Sequence, residues 1–136
     1  MVGIVIVAHG ELAKALLETA CMIVGPVDRC EACTFAQDKS ADGLRKMLRD
    51  AIKKVDVGEG VMILTDMFGG TPSNISLSFL EQDRVEVVTG VNLPMVIYAL
   101  TKREGKKLRE LAQILKNSAC SNISVASEIL SAPPKG

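Results

Sequence analysis

The chain carries no surplus of charge of either sign: 16 lysines and arginines balance 16 aspartates and glutamates over 136 residues. A duplex-binding domain shows a basic excess, so nucleic acid is set aside as a partner. Long hydrophobic runs are missing as well. The longest, Gly3 to Ala8, falls far short of the roughly 20 residues that span a bilayer, and it ends at a histidine. No charged segment precedes it, so it does not read as a signal peptide, and the cytoplasm is the expected location. Histidine is almost absent, with one copy at position 9. Tetrahedral zinc at Cys30 and Cys33 would need further ligands, and the chain offers only this one histidine, so no metal or other cofactor is expected. The Cys30-Glu31-Ala32-Cys33 spacing is that of thioredoxins, but that motif works at a helix N-terminus. Here it falls in an apparent strand, where residues three apart point to opposite faces. The cysteines read as structural.

What is present is globular composition, 48% hydrophobic and 24% charged, at the length of one domain. That domain is expected over residues 1–130, with 131–136 as a short tail. Val2 to Ala8 is a β-branched run without polar alternation, the mark of a strand covered on both faces. From Glu11 the period becomes helical, with Leu12, Leu16, Thr19/Ala20 and Ile23 on one face and Gly25-Pro26 as the stop. A short strand is expected at Arg29 to Phe35, then a polar break from Ala36 to Ser40. Leu44, Met47, Leu48, Ala51 and Val55 mark a second amphipathic helix, and Val61 to Asp66 a second strongly apolar strand. Thr71 and Pro72 suit the N-cap and first position of a third helix. Val85 to Thr89 is a fourth strand, followed by helical patterns at Met95 to Leu100 and Leu108 to Leu115. Asn117-Ser118 reads as a break, Asn122 to Ile129 as a last strand, and Pro133 to Gly136 as a loose tail. Strands alternating with helices predict a doubly wound, mostly parallel α/β sheet with helices on both faces. The C-terminal strand would be an edge strand, antiparallel, or given to a partner chain.

Neither G-x-G-x-x-G nor a phosphate-binding loop follows the first strand. His9-Gly10 stands there instead, at the carboxyl edge where open α/β sheets bind ligands. If the first and third strands are neighbours, Asp66 meets His9 across the crevice. A lone histidine is often an ordinary surface residue. A carboxylate at one ring nitrogen, however, leaves the other free as a nucleophile, which suits covalent chemistry. Gly69-Gly70-Thr71-Pro72 reads either as a glycine turn with a threonine cap or as an anion cradle of exposed amides and one hydroxyl. Taken with the histidine and the aspartate, the cradle points to a phosphorylated histidine.

Three segments, Val5 to Gly10, Asp66 to Asn74 and Gly90 to Met95, resemble the signature segments of the mannose-family IIA component of the bacterial phosphotransferase system. Their order and separations match as well, and the resemblance covers about residues 1–130. It implies that His9 takes a phosphoryl group from the histidine phosphocarrier protein and passes it to a IIB component, which serves a IIC/IID membrane complex that phosphorylates incoming sugar. By matched position, Asp66 would bond the nonreacting ring nitrogen, and Thr71, with Gly10, Gly69 and Gly70, would hold the phosphoryl oxygens. Met67 and Phe68 resemble an apolar rim on which partners dock; the alternative is that they pack under a neighbouring loop. The family resemblance further implies a homodimer, with the C-terminal strand exchanged between subunits, and peripheral association with the transporter complex. Fused relatives carry a IIB domain after a hinge, which the residues up to Gly136 do not include. Two other readings share the same acceptor: a regulatory phosphoacceptor module of a partial system, and a phosphoryl donor for dihydroxyacetone kinase.

Overall fold

A computed structural model describes residues 1–36 and 40–131. The expected tail at 133–136 and the centre of the polar break, 37–39, lie outside the described residues. Four strands, β1 (Gly3–His9), β2 (Cys30–Phe35), β3 (Val61–Thr65) and β4 (Val85–Thr89), form one sheet in the order β2-β1-β3-β4. All three pairings are parallel. Helices α1 (Leu12–Val24), α2 (Ala41–Val55) and α3 (Thr71–Leu77) alternate with the strands, and α4 (Leu93–Lys102), α5 (Leu108–Ser121) and a short α6 (Ala126–Ser131) follow β4 in succession.

The alternation of side chains along a strand divides the core into two layers. Ile4, Ile6, Met62 and Leu64 pack with α1, α4 and α5 on one face. Val5, Val7, Val61 and Ile63 pack with α2 and α3 on the other. All eight are fully buried, which explains why β1 and β3 read as continuous apolar runs. Each such side chain contributes about 1.5–3 kcal/mol on burial. Cys30 and Cys33 fall on opposite layers, as their spacing predicts. Burial pushes the Cys30 thiol up to about 11, so it stays protonated at neutral pH.

Four local expectations need correction. The inward face of α1 is formed by Ala13, Leu16, Leu17, Ala20 and Val24, whereas Leu12 and Ile23 are exposed. The two alanines are fully buried, and such small side chains let the helix lie close to the sheet and to α4. Gly70, not Thr71, caps α3: it is extended (φ −80°, ψ 166°), and Thr71 is the first helical residue. The helix α5 runs through Asn117-Ser118, because Leu115 and Ala119 continue its buried stripe. It stops at Asn122, whose side-chain amide donates to the Ser118 carbonyl at 2.7 Å. Finally, residues 122–129 do not form a strand. Among the described residues they pair with no strand, and the Val125 carbonyl accepts the Glu128 and Ile129 N–H groups that start α6.

Candidate active site

The chain winds from β1 outward to β2, then returns past β1 to place β3 on its other side. The direction of winding therefore reverses between β1 and β3, and the carboxyl ends of these strands frame the crevice typical of ligand sites in open α/β sheets. Each strand ends there in one polar residue. His9 is the last residue of β1, and Asp66 follows β3 directly.

The two side chains meet. His9 Nδ1 lies 2.7 Å from Asp66 Oδ2, and the same oxygen accepts the backbone N–H of His9 at 2.9 Å. Asp66 Oδ1 accepts the N–H of Met67, also at 2.9 Å. Both carboxylate oxygens are thus engaged, and the side chain is only 12% exposed. Burial pushes its pKa upward. The bonds from the His9 backbone and ring, the charge of that ring and the Met67 N–H outweigh burial, holding the carboxyl below its usual value near 3.8. Asp66 is therefore a carboxylate at neutral pH. With a carboxylate at Nδ1, neutral His9 keeps its proton there and leaves Nε2 with a lone pair. The His9 side chain is 46% exposed.

Glycines shape the rest of the crevice. Gly10 takes φ +56° as the chain leaves β1, and its N–H donates to the Phe35 carbonyl at 2.8 Å. Gly69 takes φ +92°, a conformation that other residues rarely adopt. Gly70 passes so close to the imidazole that a Cβ there would sit 2.8 Å from His9 Cε1 and 3.5 Å from Nε2. Thr71 follows with an exposed side chain at the start of α3. Met67 and Phe68 do not pack inward; they are 57% and 71% exposed.

One neighbour of the site was not foreseen from the sequence. Phe35 stands opposite His9 in the β1–β2 register, and its ring meets the imidazole edge-on, with centroids 5.8 Å apart at 79°. Only knowledge of which strand flanks β1, and in what register, could have revealed it. Beyond the crevice, Asn92 caps α4 through the Met95 N–H and donates to the Ala119 carbonyl of α5, so the Gly90 to Met95 segment holds two helices together. Among the described residues no group of three or more His, Cys, Asp or Glu could hold a metal ion, and no helix is long and apolar enough to cross a membrane.

Comparison with known proteins agrees with this architecture. Residues 3–116 match the EIIA-man family, described as the PTS system fructose IIA component. The chain is 34% identical over 131 residues to the PTS system fructose-specific EIIA component of Bacillus subtilis strain 168, covering 96% of this chain and 90% of that protein. It is also 34% identical over 104 residues to the mannose-specific EIIAB component of Escherichia coli K12, there covering 76% of this chain but 32% of the longer relative. The crystal structure of phosphotransferase system component EIIA from Streptococcus agalactiae superposes with a TM-score of 0.85 at 25% identity, covering 94% of this chain and 99% of that one. A histidine and an aspartate facing each other at the switch point of this fold, in a sequence so matched, leave one assignment: the chain belongs to the mannose-family IIA components of the phosphotransferase system.

Proposed function

We propose that His9 is the phosphoacceptor of this IIA component. The Nε2 lone pair attacks the phosphorus of a phosphohistidine on the phosphocarrier protein; a new N–P bond forms, and the donor nitrogen keeps the electron pair of the broken one. The reverse geometry then passes the group to a histidine of a IIB component. Asp66 keeps the proton on Nδ1 and offsets the positive charge that grows on the ring as Nε2 is phosphorylated. The observation that carries this reading is the 2.7 Å contact at Nδ1, which turns Nε2 alone toward chemistry.

In the same reading, the Gly69 and Gly70 amides, the loop at Gly10 and the Thr71 hydroxyl receive the phosphoryl oxygens, and no cofactor takes part. Met67 and Phe68 form the apolar rim on which the phosphocarrier and IIB dock in turn, a small and transient interface. Downstream lies the IIC/IID membrane complex, with this chain working in the cytoplasm at its periphery. We further infer a homodimer. Its support is the exposed Ile123, Val125, Ile129 and Leu130, a cluster of large apolar side chains that self-association would cover. The test of the whole reading is transfer of label from phosphoenolpyruvate, through enzyme I and the phosphocarrier, to this protein and on to a IIB component. Label that reaches the chain and then moves to IIB supports it; label that never reaches the chain refutes it.

A further inference from the structure

His9 is held from three directions, and the function above assigns the holding of the ring to Asp66 alone. Asp66 takes Nδ1. The Gly70 backbone lies against Cε1, leaving no room for a Cβ. On the β2 side, Phe35 occupies the position directly opposite His9 in a parallel ladder. Residues paired across a ladder point to the same face of the sheet, so the two rings stand side by side. The ladder is also extended beyond them, because the Gly10 N–H donates to the Phe35 carbonyl at 2.8 Å. Phe35 is itself half-buried and packs against the core layer under α2 and α3.

We propose that Phe35 is a positioning residue for His9, an edge-on aromatic wall that restricts rotation of the imidazole about its Cβ–Cγ bond and so gives Nε2 one direction of approach. The inference rests on the reading of His9 as phosphoacceptor. The carboxylate alone leaves the ring a hinge: a half-exposed imidazole bonded at a single nitrogen can rock about that bond or swing off it. Rigid neighbours on its flanks remove those motions. A reacting nitrogen misplaced by about 1 Å loses on the order of 100-fold in rate, so a flanking ring has leverage even though it touches no phosphate.

The chain has one histidine, so its imidazole gives one set of nitrogen resonances. The experiment compares the whole protein with F35L, F35M and F35Y, where methionine refills volume without a plane and tyrosine restores the plane. In the unphosphorylated proteins, the nitrogen shifts and couplings report the tautomer. The expected result is a dominant Nδ1–H form in the native protein and in F35Y, and a mixture of tautomers in F35L and F35M. In the phosphocarrier assay, kcat is expected to fall about tenfold in F35L and F35M with KM unchanged, and to recover in F35Y. Native-like tautomers together with native kcat in the folded F35M protein would overturn the proposal. A native protein that takes no phosphoryl group would instead sink the phosphoacceptor reading, while the tautomer measurement would still decide whether Phe35 orients the ring.

Discussion

Asp66 Oδ2 accepts two hydrogen bonds from one residue: the backbone N–H of His9 at 2.9 Å and its ring Nδ1 at 2.7 Å. The carboxylate thereby fixes both the position of the strand end and the identity of the free nitrogen. Because β1 and β3 are adjacent and parallel, the contact spans 57 residues of sequence yet needs no flexible loop on the His9 side.

Replacing Asp66 with asparagine leaves one oxygen for donors that now use two. D66N is expected to fold and to lose about 1 kcal/mol, the low end for an unmatched donor, since the bonds are close to solvent. Phosphoryl transfer should slow markedly, and the imidazole should populate both tautomers. A normal transfer rate in D66N would show that the pairing does not matter to the chemistry. The same carboxyl has a pH signature. Its folded pKa is depressed, so its contribution is fully present above the unfolded value near 3.8 and is lost as pH falls through the lower folded value. Acid unfolding of the native protein and of D66N should therefore converge below pH 4, and a stability gap that stays constant there would contradict the assignment.

Gly70 is extended, a conformation that alanine also adopts, so G70A tests the space beside the ring and not the backbone. Its Cβ would meet Cε1 at 2.8 Å, and the imidazole or the loop must move. Transfer is expected to fall on the order of 10- to 100-fold with little change in thermal unfolding. Full activity in G70A would mean that the ring has slack that the geometry denies it.

Much of the site was legible because its parts sit at strand ends. Val2 to Ala8 and Val61 to Leu64 are continuous apolar runs, and His9 follows the first directly while Asp66 follows the second after Thr65. What escaped the sequence depended on packing partners. Leu16 and Ala20 lie on the buried face of α1 as their spacing suggests, but Leu12 and Ile23 at its ends give way to Ala13 and Val24. Close approach of the helix to the sheet favours the small Ala13 side chain over the larger Leu12. Ile123, Val125 and Ile129 alternate like a strand, but they pair with no strand among the described residues, and the Val125 carbonyl starts a helix instead. Phe35 carried no signal of its own, because its place beside His9 is set by register.

The exposure of Phe68 makes a separate forecast. In F68A the unfolding free energy should change by no more than about 0.5 kcal/mol, as for other surface substitutions. Exchange with the phosphocarrier should weaken by about fivefold or more, the loss expected when an aromatic anchor of an interface is truncated. A large stability loss with unchanged transfer would return Phe68 to the core and remove it from the docking rim.

The apolar side chains at 123–130 predict self-association. Sedimentation equilibrium should show a dimer at micromolar concentration, and the double variant I123E/L130E should be a folded monomer. A native protein that sediments as a monomer throughout that range would refute the dimer.

The central claim is most directly tested by locating the phosphoryl group. Incubation with phosphoenolpyruvate, enzyme I and the phosphocarrier protein should give one acid-labile group per chain, bound to Nε2 of His9 and absent from H9A. Undiminished labelling of H9A, or a group on Nδ1, the nitrogen that faces Asp66, would contradict the account.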